Sequence, residues 1–546
     1  MANINNTRKM RPCAAESANI VQWTLSGDYD LSTPVLIDAE EPTRFITKET
    51  ALRLAASLTG AFEKDSTVCL AVPNDITYPI ICMGIWSSQC RWTGVNPAYS
   101  VHEMKHHLSV SETSYVVTVE EQLDKVRQAV QELDRNIEII LFSDLLRRRP
   151  ATEQNVCTVP PSYRACTHSH GYRSLHELQR PTSIAGFYDA IDEIDTDSTA
   201  GLFSTSGTTG LPKMAARSHK SLVLEAAATE DNHGVKPYPV RRLFCTPIFH
   251  AFSMGEMVIN SLRLGLPTYY MKRFHPALFP KAIEEYNITE TFAPPPLILK
   301  LVEDPGCHSQ IQSLRNIYSG GAPLVPELKN RLDVIYEHNH HEPPRVTQIY
   351  GMTEGGRITT FKYEECDTTN SIGRPIQGYD VRIVEREGFP SFEGSHVGEL
   401  LVRGPMLMTK YFGNPHATAH AFQDGWLKTG DVGYIVDGKV YLVDRCKDLI
   451  KVNGFQVSPT EVENALLSSP DVADVGVVGH GAGTSEHPVA FVVRAHPQVT
   501  QEEIKSHLRG QLASYKVSML EVKFVETLPK SITGKILRTE LRKLCC

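Results

Sequence analysis

Short β-branched and apolar runs alternate with amphipathic stretches through the first part of the chain. The runs at 67–72, 115–118 and 138–142 read as strands. Between them, 120–133 spaces its apolar residues helically and predicts an amphipathic helix. That succession predicts parallel α/β units. The most apolar stretch lies at 80–86, and Cys82 within it, like Cys69, reads as a packed strand residue. The segment 145–182 is polar and rich in Arg, Pro and His, and predicts a long surface excursion. Near Ile372 the pattern changes to glycine-punctuated strands at 381–384, 398–402 and 439–443, which predict a small β-rich unit. After Arg445 it is mixed again. A helix is expected from about Ser458, because Pro459 suits a first helical turn and Glu461 suits the N-terminal end of the helix dipole. A helix over 501–512 and a strand over 519–524 complete a domain of about a hundred residues.

Composition narrows the class without naming it. At 546 residues the chain exceeds what one hydrophobic core serves, so two or more domains are expected. A net charge of −8 without a basic stripe gives no footing for a nucleic-acid partner. The run at 80–86 is too short for a membrane span, and 1–18 lacks the apolar core of a signal peptide. A cytoplasmic protein is expected, and the absence of a closing Ser-Lys-Leu-type signal argues against a peroxisomal address. The 12 cysteines lack paired spacing and fit reduced thiols. Cys157, Cys166, His168 and His170, and separately His338, His340 and His341, lack zinc-site spacing and read as solvated loops. Cys545 and Cys546 could be a prenylation tail, but the last residues look like a helix end.

The segment 204–215, S-T-S-G-T-T-G-L-P-K-M-A, changes the picture. Ser204, Thr205, Ser206, Thr208 and Thr209 can donate to phosphate oxygens, while Gly207 and Gly210 let backbone N–H groups come close. Pro212 stiffens the run and Lys213 adds a point charge. The preceding apolar residues 200–203 read as the end of a buried strand, where open α/β sheets bind ligands. The mononucleotide P-loop is excluded, since it ends in Gly-Lys-Ser/Thr.

This segment resembles the phosphate-binding signature of the adenylate-forming superfamily of acyl-CoA synthetases, 4-coumarate:CoA ligases, luciferases and peptide-synthetase adenylation domains. Four further motifs follow in the superfamily's order: Y-G-M-T-E at 350–354, T-G-D at 429–431, D-R-C-K-D-L-I-K-V-N-G-F-Q at 444–456 and P-K-S-I-T-G-K-I-L-R at 529–538. The resemblance implies an α/β fold with a large N-terminal domain, 1–445, of parallel α/β sheets plus a small β-barrel-like unit, holding the acid and ATP sites. It also implies a small mobile α+β lid, 446–546, with the catalytic lysine and the CoA channel. It implies ATP, Mg2+ and coenzyme A. By the same resemblance Glu354 coordinates Mg2+, Thr353 contacts the α-phosphate, and Tyr350 packs on the adenine beside Gln348 and Gly351. Asp431 would accept from both ribose hydroxyls, which suits an acceptor-only carboxylate, with Arg445 as a second ribose contact. Gly321, Ala322 and Pro323 would line the other side of the adenine. Lys535 would bridge the substrate carboxylate and the α-phosphate, Lys447 would be the hinge, and Lys451, Asn453, Gly454 and Gln456 would lie near the pantetheine channel or adenylate. Arg273 matches a basic CoA-phosphate contact only loosely. His250 resembles the gate of the acid pocket, with Phe252, Glu256, Gly320, Ile349 and Gly355 as pocket residues; a satisfied core histidine is the other reading of His250.

Departures from the pattern qualify this. Met214 stands where glycine is usual, Asn453 replaces a lysine, and Ile349 would narrow the acid pocket. Glu256 replaces a small hydroxyl residue; facing inward, it would be a buried charge in need of a partner, such as a polar or amino group on the substrate, and facing outward it carries no information on the acid. The leading function is an ATP-dependent acid:CoA ligase acting on an aryl, arylpropenoic or medium-chain acid. Two alternatives remain open: transfer of the acyl group to a separate carrier protein or an amine, and a non-catalytic nucleotide-binding protein, against which intact Lys213, Glu354, Asp431 and Lys535 argue.

Overall fold

Parallel strands connected through helices build the first part of the molecule, as the alternating pattern requires. The computed structural model describes residues 14–146, 171–205, 212–230, 236–322, 324–339, 341–365, 367–385, 396–452, 455–481, 486–509, 511–512, 514–530 and 535–545. The chain divides into two units, one of Met1–Phe292, Met352–Gly356 and Pro405–His420, the other of Ala293–Gly351, Arg357–Gly404 and Ala421–Cys546.

In the first unit an eight-stranded sheet runs in the order Lys410–Tyr411, Met214–Ser218, Thr199–Ser204, Arg91–Gly94, Thr67–Ala71, Tyr115–Thr118, Glu138–Leu141 and Arg173–Ser174. Its last six strands are parallel, while the first two add antiparallel at one edge. Thr67–Ala71 is buried at every position, as a strand in the middle of a parallel sheet is. The apolar stretch at 80–86 is a helix, Tyr78–Ser87, with every residue buried, so Cys82 is a helix residue and Cys69 a strand residue. Apolarity all round gives no period to separate a buried helix from a buried strand. The helix expected over 120–133 begins as a 3-10 turn, Glu120–Gln122, and continues as Leu123–Gln131. The polar excursion is also corrected in part: Arg173–Ser174 returns to the sheet edge beside Glu138–Leu141, followed by the short helix Leu175–Leu178. A second set of strands in this unit pairs Arg242–Phe244 in parallel with Thr268–Tyr270 and Glu290–Phe292.

The second unit contains the parallel pair Asn316–Gly320 and Arg345–Met352 and a five-stranded antiparallel sheet that includes Asp380–Glu385, Gly398–Arg403, Trp426–Val436 and Lys439–Arg445. The expected glycine-punctuated strands are these. After Arg445 come a mixed three-stranded sheet, Val472–His480, His487–Arg494 and Glu521–Phe524, and the helices Pro459–Leu467, Gln501–Arg509 and Arg538–Lys543. Ser458 caps the first of these helices by accepting from the Glu461 N–H, with Pro459 in the first turn. Arg538 pairs with the buried Glu463 and donates to the Val477 carbonyl, and Arg542 pairs with Asp448 at 3.0 Å. Burial raises the Glu463 carboxyl above its ordinary value, with the Arg538 charge opposing.

Strand Thr199–Ser204, which leads into the Ser/Thr/Gly segment, is anchored from both sides. Trp86 Nε1 donates to the Ala200 carbonyl at 2.8 Å, and the Thr93 hydroxyl donates to the Leu202 carbonyl at 2.7 Å. Because Thr93 has one hydroxyl proton, its 3.1 Å contact with His107 Nε2 assigns that ring proton to Nε2. His107 is buried, and burial lowers its pKa to about 3. The unfolded chain, with an ordinary histidine near 6.5, therefore binds a proton that the fold refuses, and stability drains away as pH falls from 6.5 toward 3. His107→Gln removes about one proton from that slope, so the variant should lose about 2 to 3 kcal/mol less than the parent between pH 6.5 and 4.5. Urea titrations at several pH values measure this, and parallel losses would deny His107 its neutral burial.

Candidate active site

In the first unit, the phosphate-type segment is closed at its neck by two contacts. The Thr205 N–H donates to the Lys213 carbonyl at 2.8 Å, and the Lys213 N–H donates to Thr205 Oγ1 at 3.2 Å. Ser206, Gly207, Thr208, Thr209 and Gly210 lie outside the described residues. The segment joins two antiparallel strands, Thr199–Ser204 and Met214–Ser218, so no helix N-terminus follows it as in a P-loop. Met214 opens the second strand and is buried against Leu202 and Ala216, which accounts for a large apolar residue at that position.

Thr353, Glu354 and Gly355 form a tight turn, closed by the Gly355 N–H on the Met352 carbonyl at 3.1 Å. Gly356 follows with φ +63, a conformation that favours glycine, and a Cβ there would also displace the Glu225 carboxylate. Glu225 in turn pairs with the buried Arg217 at 3.0 Å. Glu354 is 9% exposed and accepts a 2.7 Å hydrogen bond from the Tyr411 hydroxyl. Lys213 Nζ sits 4.3 Å from the centre of the same tyrosine ring. Burial, and then the Glu354 charge, push the Tyr411 hydroxyl well above its ordinary pKa, so it stays a donor. Tyr411 carried no sequence signal: its strand has two residues and no period.

His250 caps the short helix Ala251–Met254, its Nδ1 accepting from the Phe252 N–H at 3.2 Å, so the proton of the neutral ring belongs on Nε2. Phe252 packs edge-on against Phe292, ring centres 5.9 Å apart, and Phe292 stacks on Phe244 at 5.0 Å. The next turn, Gly255–Asn260, is a wider π-type turn carrying Glu256. Glu256 is buried and lies 3.6 Å from Arg242, which is itself 3.6 Å from Glu290; Lys236 and Tyr238 complete the group on Glu290. The partner that a buried Glu256 requires is thus supplied by the chain. Arg273 is exposed.

In the second unit, Asp431 and Arg445 face each other across paired strands, Arg445 Nε 2.9 Å from Asp431 Oδ1. The Tyr350 hydroxyl donates to Oδ2 at 2.7 Å. Asp431 is 6% exposed, so both oxygens of a buried carboxylate are engaged by donors, and each keeps acceptor capacity. Thr429 braces the turn, donating to the Leu400 carbonyl and accepting from the Asp431 N–H. Tyr350 packs on the cluster of Ile372, Leu400 and Val440. Gln348 donates to the Ser371 carbonyl at 3.2 Å, and Gly351 is exposed. Gly320 pairs in register with the buried Ile349, and Gly321 turns out of the strand at φ +83 beside Ala322. Pro323, Asn453 and Gly454 lie outside the described residues, as do the side chains of Lys451 and Gln456, whose backbones pair across a two-stranded ribbon. Lys447 and Lys535 are both exposed. Of the histidines and cysteines read as loop residues, Cys157, Cys166, His168, His170 and His340 also lie outside. Among the described residues no cluster of three metal-ligating side chains occurs, and no helix is long and apolar enough to cross a membrane.

Residues 44–412 match the model of the AMP-binding enzyme family and residues 461–535 that of the AMP-binding enzyme C-terminal domain. The chain is 44% identical to acyl-CoA ligase M9 of Phoma sp. over 96% of this chain and 95% of that protein. It is 35% identical to phenylacetyl-CoA ligase epaB of Aspergillus niger, over 95% of each chain. The fold matches that of anthranilate CoA ligase AuaEII, solved with anthranoyl-AMP, at a TM-score of 0.79 and 21% identity, over 98% of this chain and 99% of that one. The chain belongs to the AMP-binding enzyme family, and within it to the AMP-forming acyl-CoA synthetases.

The Arg242–Glu256 pair is open to direct measurement. A double-mutant cycle of Arg242→Met and Glu256→Gln, read as unfolding free energies, should give a coupling of about 1 to 3 kcal/mol, because contacting groups in one network do not add. Additive losses would mean that the two charges ignore each other.

Proposed function

We propose that the chain activates an aromatic-ring-bearing carboxylic acid with ATP and passes the acyl group to coenzyme A. A carboxylate oxygen of the acid attacks the α-phosphorus, the bond to the β-phosphate breaks and pyrophosphate leaves. The CoA sulfur then attacks the acyl carbonyl, and AMP leaves as the carbon–oxygen bond breaks. Asp431, held by Arg445 and Tyr350, is the observation that carries the nucleotide half of this reading. A buried, acceptor-only carboxylate with spare lone pairs suits a pair of ribose hydroxyls. In the other unit Thr205 and Lys213 serve phosphate oxygens and Thr353 the α-phosphate.

The donor set also fits Mg2+. One buried carboxylate, Glu354, with no cage of further ligands among the described residues, suits an ion that keeps water and leans on substrate phosphates. When bound, that ion neutralises phosphate charge. Phe252 on Phe292 and Phe244 supports an aryl acid, as does the name of the Aspergillus niger relative. Glu256 is matched by Arg242, so the acid needs no cationic group. Division at 445/446 gives Lys447 the hinge role and Lys535 the charge that bridges carboxylate and α-phosphate.

A pyrophosphate-release screen over a panel of carboxylic acids, with and without CoA and with products identified by mass spectrometry, tests this reading. Aryl-CoA and AMP are expected only when acid, ATP and CoA are all present; release unaffected by any acid would overturn it. Lys535→Ala should lower adenylate formation by on the order of a hundredfold or more while sparing thioester formation from a supplied acyl-adenylate. Undiminished pyrophosphate release in single turnovers would remove Lys535 from the chemistry.

A further inference from the structure

Segment 408–412 is stitched on both sides to groups assigned above to phosphate and metal. On one side, the Met408 N–H donates to the Glu354 carbonyl at 2.6 Å and the Tyr411 hydroxyl donates to Glu354 Oε1 at 2.7 Å. On the other, Tyr411 stands in register with Ala215, and the Phe412 N–H donates to the Met214 carbonyl at 2.8 Å, immediately beyond Lys213. The Tyr411 N–H is itself held by Thr418 Oγ1 at 3.0 Å. The tyrosine therefore has a fixed backbone and a buried ring, one edge bonded to the carboxylate and one face under the Lys213 ammonium.

We propose that Tyr411 is a positioning residue that sets the metal-binding geometry of Glu354 and the phosphate-facing position of Lys213 through one ring. The proposal rests on the reading of Glu354 as the metal carboxylate and Lys213 as a phosphate contact. A phenol donor on Oε1 pins the carboxylate rotamer and leaves Oε2 and the second lone pair of Oε1 as acceptor positions. Mg2+ tolerates little departure from octahedral geometry, so a wandering carboxylate costs affinity, and loss of such outer hydrogen bonds typically costs 10- to 100-fold. The ring face does a separate job. An ammonium within about 6 Å of an aromatic centre is attracted to it, and Lys213 at 4.3 Å is restrained yet still has donors for phosphate oxygens.

The two jobs separate by substitution. Tyr411→Phe keeps the ring and loses the donor; Tyr411→Leu loses both. The probe is Mn2+ binding to the full chain with α,β-methylene-ATP, followed by the electron paramagnetic resonance signal of free Mn2+, beside calorimetry of the analogue alone in EDTA. Circular dichroism reports folding of each variant. For Tyr411→Phe, Mn2+ affinity should fall about tenfold or more, while metal-free nucleotide affinity and the KM for the acid stay at the parent values. For Tyr411→Leu, metal-free nucleotide affinity should fall as well. Parent-like Mn2+ affinity in Tyr411→Phe overturns the role toward Glu354, and parent-like metal-free affinity in Tyr411→Leu overturns the role toward Lys213. Should one variant not fold, the other tests its own half. Glu354→Gln separates the two levels. If it weakens Mn2+ and Tyr411→Phe does not, only this inference fails; if it leaves Mn2+ unchanged, the reading of Glu354 fails and this inference with it.

Discussion

The buried Glu354 carboxylate, to which we assign the metal, depends on one hydrogen bond, from the Tyr411 hydroxyl. A carboxylate that is 9% exposed has lost most of its water and must be compensated by donors, or it costs several kcal/mol. A hydrogen bond to a charged group returns about 1.5–3 kcal/mol and fixes direction as well as energy. The tyrosine can supply it because the edge strand Lys410–Tyr411 pairs with Met214–Ser218. The same pairing holds Met214–Ser218, the strand that follows Lys213.

Asp431 poses the same problem in the second unit, with a different answer. Register brings Arg445 opposite it, and Tyr350 reaches it from another strand. Burial pulls the Arg445 pKa down, but Asp431, Tyr350 and Asp448 together outweigh this and the guanidinium is held above its ordinary value. Burial together with the Asp431 charge likewise keeps the Tyr350 phenol protonated. Two donors therefore fix the direction of the Asp431 carboxylate, and for the ribose role we propose for it such preorganisation lowers the ordering cost of binding.

Much of this was legible in the chain because local chemistry specified it. Tyr115–Thr118 is a run of aromatic, β-branched and hydroxyl residues, and it is a strand at those residues. Ser458, Pro459 and Glu461 announced a helix start and form one. The ordered motifs could be read as motifs, but the chain's membership of the family is established by the match of residues 44–412 to the family model. Less legible were contacts made across the sequence. Nothing local tells that Arg242 faces Glu256, or that Tyr411 reaches Glu354 across 57 positions. Cys82 was misplaced because a helix buried on all sides carries no period. The strand Arg173–Ser174 was hidden by its polar, two-residue length at a sheet edge.

The account stands on direct transfer of the acid to the α-phosphorus. An aryl acid labelled with 18O in its carboxylate, incubated with ATP, CoA and the enzyme, reports that step in the product AMP. One labelled oxygen should appear in each AMP formed alongside the acyl-CoA, since the acid oxygen that attacks phosphorus leaves with the nucleotide. AMP without label, or label in inorganic phosphate, would contradict an acyl-adenylate and with it the roles given to Lys535, Lys213 and Asp431.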